Sequence, residues 1–310
     1  LPVPFEHGTS TAPNLNAGEV VNKGIDFDID WQDKIGNVEY NVGFNMGYVK
    51  NEVTKFADAP SIASNMKIEQ GKPINQIYVL QVDRIVRDQA DLDYVQSLVD
   101  KNPKYFTTYT RPELGDFLYK DANGDGNLNT DDRVEIGNGN SPTLTYGFNL
   151  GLAWKNFTFS VLFQGVGDYK VYYNNQAFRF TTVPGHSLNK DITDNAWTAE
   201  NPYNSIYPKL RNSSDTRNQK ASDAFVHDAS YLRCKNIQLG YTVPKAISQK
   251  FFVQNLKLYT SIDNLFTITD FPGFDPEIAK GVAYPLSRQI SVGVNVSIKD
   301  YLMLDEIVEI

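Results

Sequence analysis

The sequence predicts an all-β protein: part of a transmembrane antiparallel β-barrel with long extracellular loops. Seven segments alternate apolar and polar residues with period two, the pattern of a strand with two different faces. The connections between them alternate short and long, as periplasmic turns and extracellular loops do in outer-membrane barrels. The second face is rich in Gly, Asn and Ser, which suits a wet or plug-filled interior.

The predicted strands match the roughly 9–11 residues that cross a bilayer in such barrels. They lie near 22–31, 38–50, 143–154, 157–165, 231–243, 255–266 and 288–298. The apolar faces end in aromatic residues such as Trp31 and Trp154, as an interfacial belt would. A soluble β-sandwich also has alternating strands, so it stays open as the alternative at this point.

The connections between the predicted strands are alternately short and long. The short ones are 32–37, the two-residue hairpin loop 155–156 and 244–254, whereas the long outer loops are 51–142, 166–230 and 267–287. The first long loop contains apolar residues at helical spacing, which predicts a helix near Gln89–Lys101. We therefore expect residues 1–298 to form one unit and assign no role to the tail, 299–310.

Composition excludes several classes of protein. The 310 residues carry a net charge of −8 without a Lys/Arg cluster, which argues against nucleic acid as a partner. A single cysteine excludes an internal disulfide. No run of 18 apolar residues occurs, so no transmembrane helix is expected. The 18 Tyr and 18 Phe fit the aromatic girdles of a barrel, although they also fit a sandwich.

An acidic loop has the order of oxygen ligands found in EF-hand loops, with glycine at the sixth position. Its candidate metal ligands are Asp121, Asn123, Asp125, Asn127, Asn129 and Asp132. The twelfth position is Asp rather than the bidentate Glu, and no strong helical pattern flanks the loop. We therefore expect a structural Ca²⁺ rather than a regulatory EF-hand. A polar turn without metal is the alternative.

Nothing in the sequence supports catalysis, and we expect no enzyme. Neither a Gly-x-Ser-x-Gly nor a His-Glu-x-x-His motif occurs. Aromatic residues of the second long loop are candidates for stacking on sugar rings, but they could equally serve loop packing or a partner protein. They are Tyr172, Tyr173, Phe178, Phe180 and Trp197.

Ten ordered motifs, spread over about 280 residues, resemble the C-terminal part of SusC/RagA-type TonB-dependent outer-membrane transporters. They lie at 16–26, 71–78, 115–126, 132–138, 146–149, 163–165, 230–244, 263–266, 273–277 and 284–288. The longest are Ser230-Tyr-Leu-Arg-Cys-Lys-Asn-Ile-Gln-Leu-Gly-Tyr-Thr-Val-Pro244 and Gly115-Asp-Phe-Leu-Tyr-Lys-Asp-Ala-Asn-Gly-Asp-Gly126.

The resemblance implies a plugged barrel of about 22 strands in the bacterial outer membrane. It also implies energisation by TonB, a SusD-like surface lipoprotein as a lid, and oligosaccharides or peptides as cargo. The N-terminal plug is absent from this chain and no signal peptide is visible at Leu1, so we expect a fragment of a longer protein. The alternatives are a secreted calcium-binding β-sandwich that binds glycans, and a siderophore-type TonB-dependent receptor without a lid.

Overall fold

The computed structural model describes residues 18–56, 60–137, 141–251, 253–279 and 284–298. The tail, 299–310, and the start of the motif at 16–26 lie outside the described residues. The strands of the described part are β1 (Glu19–Ile35), β2 (Val38–Lys55), β3 (Ser61–Ala63), β4 (Met66–Ile68), β5 (Gln76–Val79), β6 (Val82–Ile85), β7 (Phe117–Tyr119), β8 (Val134–Ile136), β9 (Leu144–Trp154), β10 (Phe157–Gly167), β11 (Lys170–Tyr172), β12 (Thr181–Thr182), β13 (Arg211–Asn212), β14 (Val226–Asp228), β15 (Tyr231–Thr242), β16 (Val253–Thr269) and β17 (Gln289–Ile298). The α-helices are α1 (Gln89–Lys101), α2 (Lys190–Asn195) and α3 (Lys245–Ser248).

One antiparallel sheet of seven strands organises the molecule, in the order β1-β2-β9-β10-β15-β16-β17. Each of the seven segments that alternate in the sequence overlaps one of these strands. The two edge strands, β1 and β17, each pair on one side only within the described part of the chain. The sheet is therefore an open wall and not a closed barrel by itself.

The first hairpin is longer than its apolar alternation predicts. β1 and β2 pair as far as Ile35 and Val38, so the connection expected over 32–37 shrinks to a two-residue turn. Gly36 takes a positive φ of 58° in this turn, and Lys34 forms a 3.0 Å ion pair with Glu39 across the strand ends. The apolar alternation ends in polar residues. These residues still pair with β2, so the strand continues through them.

The register brings the apolar residues of all seven strands onto one face. Phe44 lies opposite Phe148, which lies opposite Phe163 on the next strand. The Phe148 and Phe163 ring centroids are 6.3 Å apart, and Phe163 contacts Phe266 at 6.2 Å. This face is open: Ile25 is 68% exposed and Val292 is 83% exposed. No described part of the chain forms a second layer over it.

The opposite, polar face is built from glycines beside amide and carboxylate side chains. A Cβ on Gly151 would lie 2.0 Å from Asn41 Oδ1, and one on Gly43 would lie 2.2 Å from Asn149 Oδ1. The glycines are required because a side chain of the neighbouring strand already crosses the backbone at each position. The result is a flat surface covered with hydrogen-bonding groups.

The long connections fold together into one outer loop body, which we define as the described residues of 51–142, 166–230 and 267–287. A common buried cluster joins Leu80 and Tyr119 of the first loop, Val171 and Phe225 of the second, and Phe271 of the third. Four small sheets lie within this body: β3-β4-β5-β8, β6-β7, β11-β14 and the parallel pair β12-β13. The main apolar core of the described chain is therefore in the loops rather than on the large sheet.

Helix α1 forms at the predicted bounds. Its N-cap is Asp88, whose side chain accepts a hydrogen bond from the backbone N–H of Asp91. Val95 faces inward and packs in a small buried cluster with Val86 and Leu118. None of the helices in the described ranges is long and apolar enough to cross a membrane.

Candidate functional site on the polar face and its loops

Strands β1 and β2 form the most acidic part of the polar face. Asp26, Asp28 and Asp30 occupy successive positions of this face, opposite Gly47, Asn45 and Gly43 of β2. A pocket of about 350 Å³ is lined by Asp26, Asp28, Asn45 and Gly47 of these rows and by Thr145 of β9. Carboxylate and amide oxygens of this kind can accept hydrogen bonds from hydroxyl or amide groups of a polar solute.

The connection between β16 and β17 is held against this same face by a buried ion network. We call it the latch and define it as Tyr231, Arg233, Lys235, Asp275 and Glu277. Arg233 Nη2 lies 2.6 Å from Asp275 Oδ1, and Arg233 Nη1 lies 3.2 Å from Glu277 Oε2. The Tyr231 hydroxyl donates to Glu277 Oε1 at 2.9 Å, and Lys235 Nζ lies 3.0 Å from the same oxygen.

The latch depends on strand geometry and on burial. Alternate residues of a strand share a face, so the donors at 231 and 233 can reach one turn of the loop. Lys235 lies where the register of β15 shifts, between Cys234 and Asn236, and its side chain reaches Glu277 of the same turn. Arg233 is only 2% exposed, and a buried guanidinium is costly unless carboxylates neutralise it. Burial opposes ionisation of Asp275, but hydrogen bonds from Arg233 and from the backbone N–H groups of Glu277 and Leu286 lower its pKa.

The latch brings together three of the motifs found in the sequence. Arg233 belongs to the motif at 230–244, and Asp275 and Glu277 belong to the one at 273–277. The backbone N–H of Leu286, in the motif at 284–288, donates to Asp275 Oδ2 at 3.2 Å. The sequence does not assign these residues a role. The one signal of the latch in the sequence was Arg233, a charged residue at a polar-face position of a predicted strand.

A second buried network ties the first two long loops together. Asp116 is fully buried, and its Oδ2 lies 2.7 Å from Arg211 Nη2. Asn218 Nδ2 also donates to Asp116 Oδ1, at 3.1 Å. Arg211 further bonds Glu113, and this hydrogen bond is the main reason that the pKa of Glu113 is lowered. The outer loop body is therefore fixed internally by charge as well as by apolar packing.

The acidic loop is wrapped around its own side chains. Asp121 accepts hydrogen bonds from the backbone N–H groups of Gly124 and Gly126, at 2.7 and 2.9 Å. Both glycines have positive φ, which permits the tight turn. Asp132 is buried and accepts from the N–H groups of Ala122 and Asn129, and burial raises its pKa.

Three of the four remaining candidate ligands accept hydrogen bonds from neighbouring backbone in the same way. Asn123, Asp125 and Asn129 each accept from the N–H two residues further on. Asn127, the sixth candidate, accepts a hydrogen bond from the side chain of Asn102 instead. Across the described ranges, no three His, Cys, Asp or Glu side chains converge as a metal site. The six-residue ligand set therefore stays a prediction.

The five aromatic candidates lie in the outer loop body. Tyr173, Phe178, Phe180 and Trp197 are buried and Tyr172 is half-buried. Tyr173 contacts Phe178 at 5.3 Å between ring centroids, and the Trp197 indole N–H donates to the carbonyl of Arg87. Burial favours loop packing, one of the roles left open by the sequence, and ligand contact by these rings stays a prediction.

Known proteins are similar to this chain in sequence and in fold. TonB-dependent receptor P3 of Formosa agariphila is 29% identical over 294 residues, which are 89% of this chain and 27% of the relative. TonB-dependent receptor SusC of Bacteroides thetaiotaomicron is 24% identical over 287 residues, 90% of this chain and 26% of the relative. The chain thus spans about a quarter of these two relatives. No family model matches.

The solved structure of the RagAB peptide transporter gives a TM-score of 0.73 at 23% sequence identity and covers 96% of this chain and 31% of the matched chain. The RagAB peptide importer in its "closed-closed" state gives 0.72 at 24% identity, with the same coverage. The open sheet with its outer loops therefore has the fold of part of a TonB-dependent transporter barrel.

The resemblance to the C-terminal barrel portion of SusC/RagA-type transporters is confirmed. The β-sandwich alternative required a second sheet over the apolar face. The described residues contain a single large sheet whose apolar side is open.

Proposed function

We propose that this chain forms part of the wall and the outer loops of a TonB-dependent importer in the bacterial outer membrane. The importer takes up oligosaccharides or peptides together with a SusD-like surface lipoprotein. One observation supports this most strongly: a single sheet with an open apolar face on one side and a polar face on the other. Such a sheet fits between lipid and an aqueous lumen.

The apolar face argues for lipid because its exposure would be unfavourable in water. Trp31 is 61% exposed and Ile290 is 67% exposed, and both belong to one continuous apolar surface. Exposing each Å² of such surface to water costs roughly 25 cal/mol relative to placing it in an apolar environment. Monomeric soluble proteins rarely leave a patch of this extent uncovered.

The polar face fits a cargo rich in hydrogen-bond donors. Asp28, Asn45 and Asn149 present acceptor oxygens along this face, beside glycines that keep the wall flat. Sugar hydroxyls and peptide amides are both donors, so both cargo classes fit this chemistry. SusC and the RagAB peptide importer, to which the chain is similar, are the reason for proposing import in particular.

Two substitutions on one strand test the orientation of the sheet. Val292 and Ser291 are neighbours on β17 and point to opposite faces. Val292→Arg places a charge in lipid at a cost of about 2–4 kcal/mol near the midplane, so we expect loss of folded protein from outer-membrane fractions. Ser291→Arg faces the lumen and should assemble as the parent does. Equal assembly of the two variants would overturn the proposal.

The lipoprotein partner is tested by purification from native membranes in mild detergent. We expect a surface lipoprotein to co-purify at a stoichiometric level with the full-length transporter, and its removal should reduce oligosaccharide or peptide uptake. Uptake of iron chelates without any lipoprotein would instead support the siderophore-type alternative.

We also propose that the acidic loop holds a structural Ca²⁺. The supporting observation is a compact turn with alternating oxygen side chains, from Asp121 to Asn129, wrapped over two glycines of positive φ. Chelation of Ca²⁺ should increase protease cleavage within 116–140 and leave the barrel assembled. The double substitution Asp121→Asn/Asp125→Asn should reproduce this effect, whereas Asp93→Asn on α1 should not. Cleavage that does not respond to chelation would count against the cation.

A further inference from the structure

Strand β16 is longer than its neighbour β17, and the difference leaves part of its edge unpaired. The pairing of the two strands ends at Asp263 and Gln289, whereas β16 continues to Thr269. Along 264–269, β15 is the only strand of the described chain that pairs with β16. The backbone N–H and C=O groups that point away from β15 are therefore available to another extended chain.

A cavity of about 330 Å³ lies along this unpaired edge, within the range of ligand sites. Residues 264–267 and Thr269 form one side, and the connection between β16 and β17 forms the other. The Asn264 side chain donates to the carbonyl of Ser287 at 3.1 Å, which holds the connection beside the end of the edge nearest β17. We call the cavity and its strand edge the notch.

The side of the notch opposite the strand edge is apolar. Phe274 and Leu286 line it and are 59% and 43% exposed. Both are held in place: the Phe274 ring centroid lies 6.4 Å from that of Phe178, and the backbone N–H of Leu286 donates to Asp275 of the latch. An apolar side chain inserted beside the strand edge would therefore leave water for a preformed surface.

One charge at the notch has no opposite partner when every acid is ionised. The two acids of the latch, Asp275 among them, are paired with the two basic residues of the latch. Asp263 and Asp270 do not line the notch. Arg288 does line it, is exposed and makes no ion pair within the described residues. A carboxylate at this end of the notch can therefore pair with the Arg288 guanidinium.

We propose that the notch binds the C-terminal end of an extended peptide as an added strand. The main chain of the peptide pairs with 264–269, an apolar side chain packs on Phe274 and Leu286, and the terminal carboxylate binds Arg288. Arg288 precedes Gln289, the partner of Asp263, so the peptide runs antiparallel to β16, as β17 does. A sugar lacks the alternating donors and acceptors of a main chain. The site rests on the proposed import function and specifies peptide as the ligand at this place.

Backbone methylation of a peptide probe tests the added strand. The probe is a fluorescently labelled Thr-Val-Thr-Leu, and its binding to the full-length transporter in detergent is followed by polarisation. Because a strand pairs through alternate N–H groups, methylation of the amides of residues two and four, or of residues one and three, affects opposite edges of the peptide. We expect one of these two peptides to bind as the parent does and the other to lose at least about tenfold in affinity. Equal affinity of the two, or displacement of the probe by cellotetraose, would overturn the proposal.

Substitutions assign the binding to the notch. Phe274→Ala/Arg288→Gln should weaken binding by about tenfold or more, and both side chains are exposed, so the variant should fold as the parent does. Leu286→Trp, which fills the cavity, should also weaken it. Tyr284→Ala is the matched control, because Tyr284 is 98% exposed in the same connection and does not line the notch.

The terminal carboxylate is tested by a double-mutant cycle. The C-terminal amide of the probe should bind the parent more weakly than the acid does, and this difference should disappear in Arg288→Gln. Unchanged affinity in the Phe274/Arg288 variant would overturn the notch. Uptake of oligosaccharide without any peptide binding would also overturn it but leave the proposed function standing. Peptide binding in a protein that fails the orientation test on β17 would do the reverse.

Discussion

The large sheet and the outer loop body place their apolar residues in opposite ways. In the outer loop body, Phe225 and Val171 are fully buried among residues from all three long connections. In the sheet, Ile25 and Val292 remain more than half exposed on one side. The outer loop body thus resembles a small water-soluble domain with a core of its own. The sheet becomes favourable only when an apolar phase covers one face.

The two regions also differ in how they use charge. The outer loop body contains buried ion networks such as the one around Asp116, and the latch extends such a network onto the polar face of β15. The apolar face carries almost no charge along the strand centres, as a lipid-facing surface requires. The latch is therefore the point at which the two regions are joined electrostatically.

The largest expected effect tests whether the outer loop body depends on its own core. Phe225→Ala removes a fully buried ring at a cost of about 3–5 kcal/mol. We expect faster hydrogen exchange and new protease cleavage throughout the outer loop body, with the sheet still protected. Ile290→Ala, on the exposed apolar face, is the control and should leave the loops unchanged. Collapse of the whole barrel in the Phe225 variant would contradict the separation of the two regions.

A smaller, local effect is expected at the latch. Arg233→Met keeps the length of the side chain but leaves Asp275 and Glu277 buried without their guanidinium, at a cost of about 3 kcal/mol. Hydrogen exchange should rise in 271–279 and 284–288 and remain slow in the core around Phe225. Arg288→Met is the matched control, because Arg288 is exposed and makes no ion pair within the described residues. Equal exchange in the two variants would show that the latch does not hold the loop.

The comparison also explains which features the sequence could predict. The strands of the sheet alternate because their two faces meet different surroundings, so seven strands and α1 were found from periodicity alone. The core of the outer loop body was not found, because aromatics such as Phe180 and Trp197 lie in irregular segments without a period. The latch was missed for another reason: Arg233 and Asp275 are 42 residues apart, and only the fold brings them together.

The latch should respond to acid in a defined direction. The pKa of Asp275 is lowered from its ordinary value of 3.8 in the folded chain. The ionised carboxylate therefore stabilises the latch above that value, and this contribution is lost as the pH falls through the lowered pKa. The rate of hydrogen exchange in 271–279 should be unchanged from pH 7 to pH 5 and rise only below about pH 4, once it is corrected for the intrinsic pH dependence of exchange. The Asp275→Asn variant should lack this acid-dependent rise, and a rise already complete at pH 5 would contradict the prediction.

The smallest expected effect concerns the glycines of the polar face. An added Cβ at Gly151 would meet the amide oxygen of Asn41 at 2.0 Å, so Gly151→Ala must displace that side chain. The cost should be about 1 kcal/mol, because the amide is short but can rotate toward the lumen. In an Asn41→Ala background the same substitution should become neutral or slightly stabilising, since alanine suits a strand better than glycine. Free energies of unfolding in lipid vesicles would give the coupling energy of this pair. If the effects of the two substitutions are additive, Gly151 is not needed to accommodate Asn41. Its small size would then matter for the contents of the lumen.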